Sequence, residues 1–301
     1  AISGKAVPDT QLNILGNGDL NQVELQTLSV KTLGGEISGK VMANWQAAIN
    51  WSADLLLRDI QPGLQWQEAE GKVSGHLMTT GSLTDQGGWQ VILPKLDIDG
   101  VVRGYPLNLD GQLSVSDKVG SGELKLITSG LALSHGPNFV KAKGIIDQKA
   151  DVQVKVSFPD MSLSVPNLHG DVQGDISLKG SVEAPVIDLK LNASDVGWGE
   201  ETNAQDVELK GELSPLSKLS ADIKLSVLGV KYQNYYIDHV LLNAEGDEQK
   251  HTLNLDLKSN IASTKLTLQG ALERTPELVW KGVLDEMFIA SKQGMWTLEQ
   301  P

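Results

Sequence analysis

Period two runs through this chain from one end to the other. Leu253-Asn254-Leu255-Asp256-Leu257-Lys258 alternates apolar and polar residues without a fault. Lys265-Leu266-Thr267-Leu268-Gln269, Ile187-Asp188-Leu189-Lys190-Leu191, Ala221-Asp222-Ile223-Lys224-Leu225-Ser226-Val227 and Asp151-Val152-Gln153-Val154-Lys155-Val156 do the same. In an extended strand the side chains at i, i+2 and i+4 share a face. Each segment therefore sets an aliphatic row on one face and Asp, Asn, Lys, Ser or Thr on the other. That is the pattern of antiparallel strands with one wet face. The best helical candidate is residues 43–57, yet Ala43, Trp45, Ala47, Ile49, Trp51, Ala53 and Leu55 all fall on odd positions, which is a strand phase. The expectation is an all-β chain of roughly two dozen strands, each about six residues long.

A second signal is an apolar-x-Gly-x-apolar unit, centred on Gly111, Gly180, Gly211 and Gly270. Each glycine takes the place of a side chain that would point with the Leu row. Glycine inside a strand marks a bulge, a tight bend or close backbone approach. Bends at matching places in successive strands curl a sheet. No Pro- or Ser-rich linker divides the chain, so residues 1–301 are expected to form a single continuous domain. Open twisted sheets rarely exceed ~10 strands without curling or splitting. Stacked sandwiches would show aromatic core plugs and regular boundaries, and neither is present. The expected fold is an elongated, curled antiparallel or mixed sheet with an apolar trough.

Composition closes off several functions. The formal charge is −13, with 25 Lys and Arg against 38 Asp and Glu, which opposes binding to nucleic acid or to anionic headgroups through a basic face. There is no cysteine, hence no disulfide, thiolate metal site or Cys nucleophile. The longest apolar run, Met287-Phe288-Ile289-Ala290, is far short of the ~20 residues of a spanning helix. The chain opens Ala1-Ile2-Ser3-Gly4-Lys5 without a signal sequence. It reads as a piece from the middle of a longer protein.

Catalytic signatures are missing. The five histidines never come closer than 12 residues to one another in sequence, so no His-x-His or His-Glu-x-x-His metal pattern exists. There is no Gly-x-Ser-x-Gly, Walker-type or Gly-x-Gly-x-x-Gly element. Asp97-Ile98-Asp99-Gly100 touches the pattern of a calcium loop but lacks its third oxygen ligand and closing Glu. No enzyme, metal or cofactor is expected. The seven Trp, at positions 45, 51, 66, 89, 198, 280 and 296, suit caps on apolar rows near strand ends better than binding platforms.

Longer stretches resemble one family. The central one runs from Trp89 to Gly111 and contains Gly100-Val101-Val102-Arg103-Gly104-Tyr105-Pro106-Leu107 behind a Trp strand. Leu56-Leu57-Arg58-Asp59-Ile60-Gln61-Pro62-Gly63 and Gly71-Lys72-Val73-Ser74-Gly75 precede it. His251 to Leu257, Trp280-Lys281-Gly282-Val283-Leu284 and Trp296-Thr297-Leu298 follow. In order and spacing these are similar to the repeats of the TamB family, itself similar to AsmA-like proteins. The resemblance covers most of the chain. It implies a "β-taco", a curled sheet with a hydrophobic groove. It also implies a periplasmic body in a Gram-negative cell, joined to the inner membrane by an anchor outside this sequence and meeting a TamA-like outer-membrane barrel through other regions. The work implied is carriage of phospholipids between the two membranes, the older assignment being assembly of autotransporters and other outer-membrane barrels.

Strand phase names the residues that would line such a groove against phospholipid acyl chains. They are Leu107, Leu109 and Leu113, then Val152, Val154, Val156, Ile176, Leu178, Ile187, Leu189 and Leu191. Ile223, Leu225, Val227, Leu253, Leu255, Leu257, Leu266 and Leu268 complete the set. The same rows also suit an ordinary packed core, and an undetected bulge would turn a row to the other face.

Overall fold

The computed structural model describes residues 2–4, 7–117, 119–216, 219–273 and 279–300. These residues contain twenty β-strands, three short 3-10 turns and no α-helix. Every strand pairing is antiparallel, as the alternation requires. The chain divides into two compact units, residues 1–148 and 149–301.

The first unit holds β1 (Ile2–Gly4), β2 (Val7–Gly18), β3 (Gln22–Thr32), β4 (Gly35–Asn44) and β5 (Ile49–Ile60). After a connection with two 3-10 turns come β6 (Gly71–Leu83), β7 (Trp89–Val102), β8 (Tyr105–Asp117), β9 (Lys125–His135) and β10 (Asn138–Ile146). Each strand pairs with the next in a simple meander. The second unit repeats that plan. It comprises β11 (Lys149–Phe158), β12 (Leu168–Ser181), β13 (Ala184–Trp198), β14 (Thr202–Ser214) and β15 (Ser220–Tyr232). Its later strands are β16 (Tyr235–Asp247), β17 (His251–Ser259), β18 (Ala262–Glu273), β19 (Val279–Ser291) and β20 (Gly294–Thr297). Here too each strand pairs with its successor. The sheet in each unit is open rather than closed into a barrel.

The strands are fewer and longer than the period-two segments suggest. Most run from 9 to 15 residues. The reason is that a break in the alternation is often a bulge inside a strand, not its end. Register shifts interrupt β5–β6 between Leu57 and Ile60, β7–β8 between Leu93 and Leu96, and β18–β19 between Thr267 and Leu268. A bulge bends its strand and adds local twist, which curls a sheet of this size. One odd-phase segment does break: residues 45–48 form the turn between β4 and β5. Asp97-Ile98-Asp99-Gly100 lies inside β7, with Asp97 opposite Asp110 of β8, so it is strand and not a cation loop.

Of the glycines at 111, 180, 211 and 270, Gly111 and Gly211 pair within the aliphatic rows, whereas Gly180 stands between Ala150 and Pro185 and Gly270 between His251 and Gly282. Gly211 stands between Leu189 and Ile223. A Cβ there would lie 2.4 Å from the Asp222 carbonyl oxygen and 2.8 Å from the Ile223 Cα. Close backbone approach is therefore what that position needs.

Candidate functional site: a half-buried aliphatic face

Directly paired residues in an antiparallel ladder share a face, so the register can be followed from strand to strand. In the second unit it builds four rungs across nine strands. The first is Val152–Leu178–Ile187–Leu213–Ala221–Gly246–His251–Gly270–Gly282. The second is Val154–Ile176–Leu189–Gly211–Ile223–Ala244–Leu253–Leu268–Leu284. The third is Val156–Gly174–Leu191–Leu209–Leu225–Leu242–Leu255–Leu266–Met287. The fourth carries Phe158, Val172, Val207, Val227, Val240, Leu257 and Ile289.

All the aliphatic residues expected from strand phase in β11 to β18 fall on this one face, and each is half-buried. Leu107, Leu109 and Leu113 sit likewise in the first unit. There Leu109 belongs to the rung Leu12–Val30–Ile37–Leu57–Gly75–Ile98–Leu109–Leu133–Val140. Gly111 belongs to the next, with Leu28, Leu55, Leu77, Leu96 and Leu131.

Several members were missed by alternation alone. Met287 and Ile289 lie past the β19 bulge at Asp285, where the chain changes parity. Leu57, Leu77, Leu96 and Ile98 lie in strands whose apolar pattern is broken by bulges or by consecutive apolar residues. The only signal for them would have been cross-strand pairing, which sequence does not print.

The face is not a conventional core. Among the described residues only Ile60, Ala150 and Met161 are buried hydrophobics. The accessible surface is 18858 Å², against roughly 12,000 Å² for a compact monomer of this mass. The aliphatic side chains of these rungs remain part-exposed.

The opposite face is charged in stripes. Asp188, Glu212, Asp222 and Glu245 stand directly opposite one another in β13 to β16. Two residues along, Lys190, Lys210 and Lys224 form a parallel row. Further on, Asp256 receives Lys265 at 3.1 Å and His239 at 3.3 Å. Desolvation opposes its charge, but those two partners outweigh it and hold its carboxyl below the usual 3.8. Asp117, buried at the end of β8, is held low by the Gly122 N–H at 2.7 Å, with the Ser121 N–H adding to it at 3.1 Å. None of these groups converges on a cleft. Among the described residues no cluster of three His, Asp or Glu is arranged to hold a metal ion.

The seven Trp all lie at or within a few residues of strand ends or in the connections. That is where caps on the rows belong.

An open, curled antiparallel meander with an aliphatic face and a charged face places the chain in the all-β class. The family described as "TamB, N-terminal domain" matches residues 1–301, and the chain belongs to the TamB family. It is 26% identical over 282 residues to the translocation and assembly module subunit TamB of Haemophilus influenzae, covering 93% of this chain and 21% of that protein. The chain thus spans about a fifth of its relative's length. The match is to the family's N-terminal domain and lends no support to a middle segment. No solved structure matches. No helix among the described residues is long and apolar enough to cross a membrane.

Proposed function

We propose that this chain is a segment of a periplasm-spanning bridge that carries phospholipids between the inner and outer membranes. Each unit would lend its aliphatic face to a hydrophobic groove within the translocation and assembly module. The inner-membrane anchor and the contacts with a TamA-like outer-membrane barrel would lie outside this sequence. The observation that carries the reading is the set of half-buried, mainly aliphatic rungs that run across successive strands.

An acyl chain laid on those rungs would gain about 25 cal/mol for each Å² of apolar surface taken from water. Such contacts are non-directional, so a chain can slide without meeting a deep trap. Headgroups would stay at the polar strand ends.

A second reading is a scaffold for outer-membrane β-barrel proteins, autotransporters among them. It draws on β19, which pairs with β20 only from Phe288 to Ser291. Among the described residues, Val279 to Glu286 face no strand on that side, and Val279, Trp280 and Val283 are exposed. An edge of this kind can accept an added strand.

In-cell photo-crosslinking with a probe at Leu255, and separately at Asp256, separates the readings. Lipid adducts at 255 but not 256 support the conduit. Protein adducts along β19 with no lipid at 255 support the scaffold. A probe at 255 that captures neither would reduce the rungs to a packed face and sink the conduit.

A further inference from the structure

Two indoles occupy the space over glycines at the margins of the aliphatic face. Trp280, the second residue of β19, stands opposite Leu272 and leans across Gly282 and Gly270. A Cβ on Gly270 would fall 2.6 Å from Trp280 Cε2, and one on Gly282 would fall 2.4 Å from Cζ2. The ring reaches β17, where its Nε1–H donates to His251 Nε2 at 2.7 Å. His251 Nδ1 in turn bonds the Asp247 carbonyl at 2.9 Å. The imidazole therefore carries its proton on Nδ1 and accepts on Nε2. The indole N–H is satisfied, yet 45% of Trp280 remains exposed, so what it offers outward is apolar ring surface.

Its position is a boundary. The rung Leu253–Leu268–Leu284 is wholly aliphatic. The next is His251–Gly270–Gly282, and beyond it comes the polar turn Asp247-Glu248-Gln249-Lys250. In the first unit another indole also covers a glycine. Trp51, third in β5, lies over Gly81, whose Cβ would fall 2.0 Å from its Cζ2. It stands between the Leu55 rung and the turn at 45–48.

We infer that Trp51 and Trp280 are platforms for the glycerol-ester region of a glycerophospholipid, the point where its acyl chains leave the aliphatic rungs and its headgroup enters water. The inference rests on the lipid-conduit reading. Trp favours such boundaries because its large apolar ring is joined to one polar handle. Here glycine removes the side chains that would prop the ring upright, and His251 holds the N–H down. The chain ends on leucine, the ester lies on indole, and the headgroup faces the turn.

The test is fluorine NMR of the whole 301-residue chain labelled with fluorotryptophan, resonances being assigned by Trp280→Phe and Trp51→Phe. Phosphatidylcholine is added with a nitroxide either near the ester or near the methyl end of an acyl chain. Crosslinking at Leu255 is run in parallel. With lipid captured at 255, the Trp280 and Trp51 signals are expected to lose intensity to the ester-end probe well before the methyl-end probe. Lipid captured at 255 with no loss at either indole, or with greater loss to the methyl-end probe, overturns the platform and leaves the conduit standing. No lipid at 255 removes the conduit, and the platform with it.

Discussion

Lys210 of β14 stands directly opposite Lys224 of β15, and on its other side opposite Lys190 of β13. Like charges in that relation destabilise a sheet. The neighbouring carboxylates of Glu212, Asp222 and Asp188 repeat the conflict with the other sign. Opposite charges flank these rows: Asp175 of β12 stands directly opposite Lys190, and Lys210 pairs with Glu208 along its own strand. The charged face is thus polar enough to stay wet while its rows oppose one another.

Glu212→Gln removes two direct carboxylate contacts. It is expected to stabilise the chain slightly, by about 0.2–1 kcal/mol at low salt. Urea melts with and without added salt check this. The gain should shrink as salt screens the row, and a loss of stability at low salt would contradict the ladder.

Leu255→Asp places a charge between Leu242 and Leu266 on the aliphatic face. Because the site is half-buried, the carboxylate can reach water and the fold is expected to survive, with far-ultraviolet circular dichroism unchanged. Lipid capture on the same rung is expected to fall. Leu255→Ala should cost less than the ~2.7–5 kcal/mol of a fully buried leucine, which a denaturant titration measures.

Two glycine substitutions should part company. At Gly211 a Cβ meets backbone 2.4 Å away, so Gly211→Ala is expected to destabilise by about 1–3 kcal/mol. At Gly130 nothing lies within 4 Å, and Gly130→Ala should be neutral or slightly stabilising, up to ~1 kcal/mol. Thermal melts of both variants decide whether close approach is what the sheet demands at 211.

Acid should weaken the chain through two carboxylates held low. Asp117 is stabilised as the anion mainly by the Gly122 N–H. Asp256 is held low by Lys265 and His239, against desolvation. A folded-state value below the unfolded one gives stability that is full above the ordinary 3.8 and is lost as pH falls through the lower folded value. Asp117→Asn is therefore expected to flatten the acid limb of a stability–pH curve. Protease cleavage between residues 119 and 124 should rise in that variant at neutral pH, since the carboxylate holds that turn.

The strand class, the antiparallel pairing and the phase of the best rows were legible in the sequence. Leu253, Leu255 and Leu257 alternate with Asn254 and Asp256 without interruption, and period two by itself says which three share a face. Register bears this out, setting Leu253 opposite Leu268, Leu255 opposite Leu266 and Leu257 opposite Val240. The family was legible too, in the ordered motifs around Trp89–Gly111 and Trp280–Leu284. Strand number was not, because a bulge and a strand end leave the same fault in an alternating pattern. Residues 45–48 show the reverse error, a real turn hidden inside an unbroken odd phase.

What the sequence settled is local. Alternation fixes the two faces of a strand, because successive side chains must point to opposite sides of the backbone. What only the tertiary structure decided is pairing. Register joined Val156, Leu191, Leu225, Leu255 and Met287 into one rung across strands more than a hundred residues apart in sequence. It laid Trp280 across Gly282 and Gly270 and gave its N–H to His251. Those relations rest on hydrogen-bond register between strands, which bulges reset one residue at a time and which no single strand's sequence encodes.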